Sequence, residues 1–194
     1  MNMNYLVLLI LQVAFFALTF SQGFWTCALM MFNITFAGVM AANYATPLAN
    51  LLVSLYDGLF YFSEFLSMWI LFLIFFAITR AITEKLSPVP VRIGGGTREQ
   101  ILDYVFCGWA SSIFLAWCAF SFFAAPIGAE GFQNMMRGSA FSASGAIFGG
   151  WYVQLPSTLG MGLLGKPFET DKYIESRLKR NAELKTKKGL FDTP

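Results

Sequence analysis

No charged residue occurs between Met1 and Tyr56. A helix crosses a hydrocarbon core of about 30 Å with about 20 residues, so this run must fold back on itself. Its polar, flexible break is Thr19, Ser21, Gln22 and Gly23. The pattern predicts a first span over about residues 3–20 and a second over about 24–45, closed by Thr46-Pro47 because proline disfavours helix in the residue before it. The first segment lacks the positive n-region and small-x-small cleavage site of a secretory signal, and another apolar run follows at once, so an uncleaved span is expected. Residues 48–56 read as a short interfacial piece ending at the turn pair Asp57-Gly58. The third span covers about 59–79. Its stretch from Trp69 to Phe76 is apolar on every side, the mark of contact with lipid as well as protein. Arg80 closes it. A charged, Pro- and Gly-containing loop over 81–100 precedes the fourth span, about 101–125, which stops at Pro126.

The remainder is of mixed character. Residues 139–165 hold six glycines, four serines, Gln154 and Pro156. One continuous membrane helix is disfavoured there, and an interfacial or re-entrant element is expected. Beyond it, Glu175/Lys179 and Glu183/Lys187 at i,i+4 predict a short soluble helix. The expected fold is thus an all-α integral membrane protein. It has a four-helix transmembrane domain (1–128), a Gly/Ser-rich interfacial or re-entrant segment (129–165) and a charged tail helix (166–194).

Composition agrees with a bilayer as solvent. Of 194 residues, 57% are apolar and 12% charged, against about 45–50% and about 25% in soluble domains. The 22 Phe, 7 Tyr and 5 Trp exceed what one water-soluble core of this size would bury. A net charge of +2 gives no sign of a nucleic-acid surface. Placement of the charges says more than their sum. Arg80, Lys85, Arg92 and Arg98 lie between spans three and four, while the connection between spans two and three has no Lys or Arg. The positive-inside rule therefore assigns 81–100 and the Gln22-Gly23 turn to the cytoplasm. The basic tail would join them only through a fifth crossing.

The absence of histidine excludes Ser-His and Cys-His nucleophiles, imidazole zinc sites and ordinary haem ligation. Cys27, Cys107 and Cys118 form no C-x-x-C pair and read as small buried hydrophobes, with no disulfide framework legible in an odd count. Gly94-Gly95-Gly96-Thr97 has neither the Lys-Ser/Thr of a phosphate loop nor a preceding strand, and reads as a flexible loop. The serines of 139–144 have no base partner. No cofactor, metal or catalytic set is expected.

Two acids stand out, Glu64 near the start of span three and Asp103 at the entry to span four. Carboxylates inside a membrane are functional candidates because of their cost in lipid. Near an interface that cost collapses, so an interfacial or helix-dipole role is the preferred expectation for both. Small residues recur at four-residue spacing in Gly38/Ala42, Gly108/Ser112 and Gly145/Gly149. This spacing lets helix backbones approach closely.

The most specific residues run from Gln22 to Val53: Gln22-Gly23-Phe24, Ala28-Leu29, Ala37-Gly38, Ala41-Ala42, Tyr44, Thr46, Leu48 and Ala49. This stretch resembles the second-helix region of the colicin V production protein family. The charge-free first helix, the charged glycine-containing loop after the third, and a fourth helix led by Asp103 with Gly108, Ser111 and Ser112 resemble it too. The likeness covers about residues 5–125. It implies a multi-pass protein of the bacterial inner membrane, an accessory or scaffold for toxin production or export and for envelope homeostasis, with no catalytic set. Its expected partners are the lipid bilayer, other membrane proteins and a second copy of the chain. The alternative is a small channel or transporter subunit using Glu64 and Asp103 in a polar pathway, for which Gln12, Asn33, Thr35, Ser111 and Ser112 are the mid-membrane polar side chains at hand.

The orientation is testable directly. In a background lacking Cys27, Cys107 and Cys118, Thr97→Cys should resist an impermeant thiol reagent in intact cells and react once they are opened. Ready labelling of intact cells would reverse the assignment.

Overall fold

The computed structural model describes residues 3–20, 22–56, 59, 62–87, 97–125, 140–154, 169, 172, 173, 175, 176 and 179. The helices are α1 (Met3–Thr19), α2 (Phe24–Leu55), α3 (Ser63–Leu86), α4 (Thr97–Ala124) and α5 (Ala140–Ile147), which continues as a π-helical segment, Phe148–Gln154. Three of them are long and apolar enough to cross a membrane, namely α2, α3 and residues 100–122 of α4, while α1 is apolar but shorter. The Asp57-Gly58 turn, the glycines at 94–96, Pro126, residues 129–139 and 155–165, and the Glu183/Lys187 pair lie outside the described residues.

Side-chain pairings fix the directions. Trp25 Nε1 donates to Ser87 Oγ and Asn33 Nδ2 to Thr83 Oγ1, and the Phe36 ring meets Phe75, so α2 and α3 form an antiparallel hairpin. Gln12 bonds to Ser111 and Thr19 to the Cys107 carbonyl, so α1 runs antiparallel to α4. Contacts of Phe24 with Asp103 and of Cys27 with Cys107 make α2 and α4 parallel neighbours. The α5–π element packs antiparallel along α4. Gly145 lies against Phe120, Phe148 beside Trp117, and Trp109 Nε1 donates to Tyr152 Oη at 3.2 Å. From Phe120 to Trp109 is about 16 Å of helix, roughly half the depth of the hydrocarbon. At Tyr173, whose ring is 6.3 Å from that of Phe120, the chain is level with Phe120 again.

The core is aromatic. Phe72 stacks on Trp117 with centroids 4.7 Å apart and planes 15° apart, with Trp69, Phe120 and Phe148 around Trp117. Such offset pairs add about 0.5–1.5 kcal/mol beyond their buried area. Outward, Leu9, Ile10 and Val13 of α1 and Leu73, Ile74 and Ile78 of α3 are exposed, an apolar face suited to lipid. Hydroxyls inside the helices survive by bonding back to their own turn. Thr19 donates to Phe15 O, Ser67 to Ser63 O, Thr79 to Phe75 O and Ser121 to Cys118 O.

The structure departs from the sequence expectations at four boundaries. The second span does not end at residue 45, and residues 48–56 are not a separate interfacial piece: α2 passes through Pro47 to Leu55. Proline removes one N–H donor. Ending the helix would free several more backbone groups at or near the edge of the hydrocarbon, where hydrogen-bonding partners are few, so continuation costs less. Ala45 and Ala49, on either side of Pro47, are buried, so helix packing also continues. At the third span, Leu59 and Phe62 belong to tight turns and the helix starts at Ser63. It ends at Leu86 rather than at Thr79, carried past Arg80 by the Arg80–Glu84 ion pair one turn apart. The expected loop 81–100 therefore shrinks from both sides, because α4 already begins at Thr97.

The small-residue sites differ in what approaches them. A Cβ on Gly38 would fall 2.7 Å from Phe148 Cζ and 3.2 Å from Trp117 Cε3, so Gly38 is the notch into which the π-segment's ring fits. On Gly145 it would fall 3.0 Å from the Phe120 Cα, a true backbone approach. On Gly108 it would meet the Phe16 ring at an ordinary 3.7 Å. Gly38→Ala and Gly145→Ala should each lower stability by about 1–3 kcal/mol through overpacking. Gly108→Ala should be neutral or mildly stabilising, because alanine is the better helix former by up to about 1 kcal/mol. Thermal unfolding midpoints in one detergent check the order.

Candidate functional site

The end of the bundle that carries the Gln22-Gly23 turn gathers most of the polar chemistry. Gly23 has φ 79°, a conformation that favours glycine, and it caps α2 without any side-chain hydrogen bond of its own. The first N–H groups of a helix have no partner within it. Here the partner comes from another helix: the Phe24 N–H donates to Asp103 Oδ1 of α4 at 2.6 Å. The carboxylate thus sits at the positive end of the α2 dipole. Asp103, for which an interfacial or helix-dipole role is expected from the sequence, lies at the start of its neighbour α2 rather than of its own helix.

One turn further in, Cys27 and Cys107 form a disulfide with their Cα atoms 5.1 Å apart. This corrects the expectation that they are unlinked hydrophobes. The pairing spans 80 residues of sequence and follows from the α2–α4 register: once Phe24 lies beside Asp103, Cys27 faces Cys107. Cys118 is the free, buried cysteine.

Deeper polar groups are held in separate knots. Gln12 Nε2 donates to Ser111 Oγ at 2.8 Å and to Ser112 Oγ at 2.9 Å, and both hydroxyls donate to the Gly108 carbonyl. This ties α1 to α4. Gln12 Oε1 is buried without a hydrogen-bond partner. Between α2 and α3, Asn33 Nδ2 donates to Thr83 Oγ1 at 3.0 Å, while Asn33 Oδ1 is left over. Glu64, 2% exposed, lies in the first turn of α3 beside Ser63 and Ser67. By the antiparallel course of α2 and α3 it belongs to the opposite end of the bundle from Asp103. The two acids singled out in the sequence do not come together. Gly38 and Ala42 are both in the α2 interior facing the core, and Thr35 is half-buried. Among the described residues no group of three His, Cys, Asp or Glu side chains is placed to hold a metal ion.

A cavity of about 380 Å³ opens where α2 begins and α3 ends. Gln22, Thr26 and Leu29 form one side, and Arg80, Thr83, Glu84 and Ser87 the other. Arg80 Nε meets Glu84 Oε1 at 2.7 Å within it. In the sequence Arg80 marks the end of a span and the start of a basic loop, and Gln22 a break and part of the family-like stretch, but neither is assigned to a site. The legible signal was the i,i+4 spacing of Arg80 and Glu84 on a helix that must return beside the polar residues of the preceding turn.

The long apolar helices and their lipid-suited outer faces define a helical membrane protein. The family model described as Colicin V production protein matches residues 5–148, and the chain belongs to that family. The match extends through α5 to Phe148, the residue seated on Gly38. No curated protein and no solved structure matches the chain.

The interhelical cap can be measured. Asp103→Ala should cost about 1–2 kcal/mol, the usual loss for a cap, and Asp103→Asn distinctly less because the amide oxygen still accepts. Thermal unfolding of the purified variants in detergent would check both.

Proposed function

We propose that the protein is a non-enzymatic scaffold of the bacterial inner membrane, an accessory to production or export of a peptide toxin and to envelope homeostasis. It would work by holding other membrane proteins. The observation that carries this is the use made of its polar side chains. Asp103 caps α2, Gln12 binds Ser111 and Ser112, and Asn33 binds Thr83, so each joins one helix to another. A conduit would need polar groups continuous through the bilayer. These are separate knots, with Glu64 and Asp103 toward opposite ends.

Family membership supports the toxin-production part of the reading. Recovery of partners from native membranes in mild detergent would name the pathway. Complementation separates scaffold from conduit. Glu64→Gln and Asp103→Asn keep shape and hydrogen bonding while removing charge, and both should restore the phenotype of a deletion strain at normal membrane abundance. A conduit that passes protons through either acid would fail with the amide although the protein is present. Failure of that kind would replace the scaffold by a transporter subunit.

A further inference from the structure

The cavity between the start of α2 and the end of α3 has some lining groups already paired and others with hydrogen-bonding capacity to spare. Ser87 Oγ accepts from Trp25 Nε1 at 2.8 Å, and Thr83 Oγ1 accepts from Asn33 and donates to the Arg80 carbonyl. The Thr83 hydroxyl is thus occupied on both sides, while Ser87 is held as an acceptor and keeps its O–H donor. The Gln22 amide and the Thr26 hydroxyl line the same space with their hydrogen-bonding capacity unused by other described side chains. Arg80 uses only Nε on Glu84, leaving its terminal nitrogens for a further acceptor, and Glu84 retains a second oxygen. The side chains are 24% and 60% exposed, so both charges are reachable.

The charge of the lining is one positive and one negative group in contact, with no excess of either. A simple anion drawn to Arg80 would meet the Glu84 carboxylate. A ligand carrying both an anion and an ammonium would satisfy both at once. Depth supplies the second constraint. Trp25, 41% exposed, bonds to the lining residue Ser87, and tryptophan is enriched at the headgroup level of a membrane.

We propose that this cavity binds a zwitterionic aminophosphate, a phosphate ester bearing a primary ammonium, with the phosphate on Arg80 and the ammonium on Glu84. Gln22 and Thr26 supply neutral hydrogen bonds to the phosphate oxygens. A quaternary ammonium cannot donate a hydrogen bond to Glu84, so the site discriminates primary from quaternary amines. This proposal is independent of the scaffold reading.

The test uses the full-length protein, purified and stripped of lipid, with four probes: dihexanoyl phosphatidylethanolamine, phosphatidylcholine and phosphatidylglycerol, and free O-phosphoethanolamine. Binding is read by native mass spectrometry and by the shift in melting temperature. The ethanolamine lipid should bind about tenfold more tightly than the other two lipids, the usual worth of one charge-assisted contact. Arg80→Gln should weaken it by about tenfold or more, and Glu84→Gln should abolish its preference over choline and glycerol heads. Thr26→Val, which leaves the ion pair intact, should weaken it more mildly. Melting of each variant without probe shows that it is folded. If free O-phosphoethanolamine reproduces the shift with the same dependence on Arg80 and Glu84, the ligand is the soluble ester; if only the chain-bearing probe does so, it is the lipid. Equal binding of the three lipids, no binding of either ethanolamine probe, an unchanged affinity in folded Arg80→Gln, or an unchanged preference in folded Glu84→Gln overturns the proposal.

Discussion

The parallel register of α2 and α4 sets the positions of everything else. In a bilayer the lipid tails are as apolar as the side chains, so helices gain little from hydrophobic association and depend on packing, hydrogen bonds and covalent links. Here all three act on the same pair. The Asp103 carboxylate holds the first turn of α2, the Cys27–Cys107 bond ties the next, and at mid-depth Gly38 and Trp117 close on the Phe148 ring. Each contact lies at nearly the same offset between the two helices, so a slip of one turn would break all of them together. The other elements attach to this pair: α1 through the Gln12 knot, α3 through Asn33 and the Phe72–Trp117 stack, α5 through Gly145.

The locks are incomplete in a consistent way. Gln12 and Asn33 spend their amide nitrogens and leave a buried carbonyl oxygen over, and the indole nitrogens of Trp69 and Trp117 lack hydrogen-bond partners inside the aromatic core. In water-soluble proteins an unsatisfied buried group costs about 1–3 kcal/mol. In a membrane the separated helices would leave the same groups in lipid, so much of that cost cancels between states. A bundle of this kind can therefore carry polar residues for specificity of pairing without paying heavily for imperfect satisfaction.

The spans were legible because their signal is long and one-dimensional: a charge-free run, a polar break at Gln22-Gly23, and charges at the far end of the third helix. Pro47 misled because the rule that proline ends helices assumes water is ready to take up the freed backbone groups. The disulfide was hidden because Cys27 and Cys107 are joined by the register of two helices, which no local spacing encodes. Asp103 was found as an acid at a helix entry, while the helix it serves was not, since caps are ordinarily sought within one chain segment. Gly38 was marked by its spacing, but its partner is a ring from a segment 110 residues later. The cavity escaped notice for the same reason, being assembled from a turn and a helix end some sixty residues apart.

The uninterrupted α2 has a geometric consequence. Its 32 residues make a rod of about 48 Å, well over the roughly 30 Å of hydrocarbon. Such a rod has to lean or emerge, and the cost of doing either depends on bilayer thickness. Counted from Phe24, Pro47 falls about 35 Å along, close to where an upright rod would leave the acyl chains. The last two turns, with Leu51 and Leu55 exposed, form an apolar overhang beyond a weakened rung of the hydrogen-bond ladder. A thicker membrane would cover more of that overhang, and a thinner one would leave more of it outside the acyl chains. The same chain would then bury different lengths of α2 in membranes of different thickness.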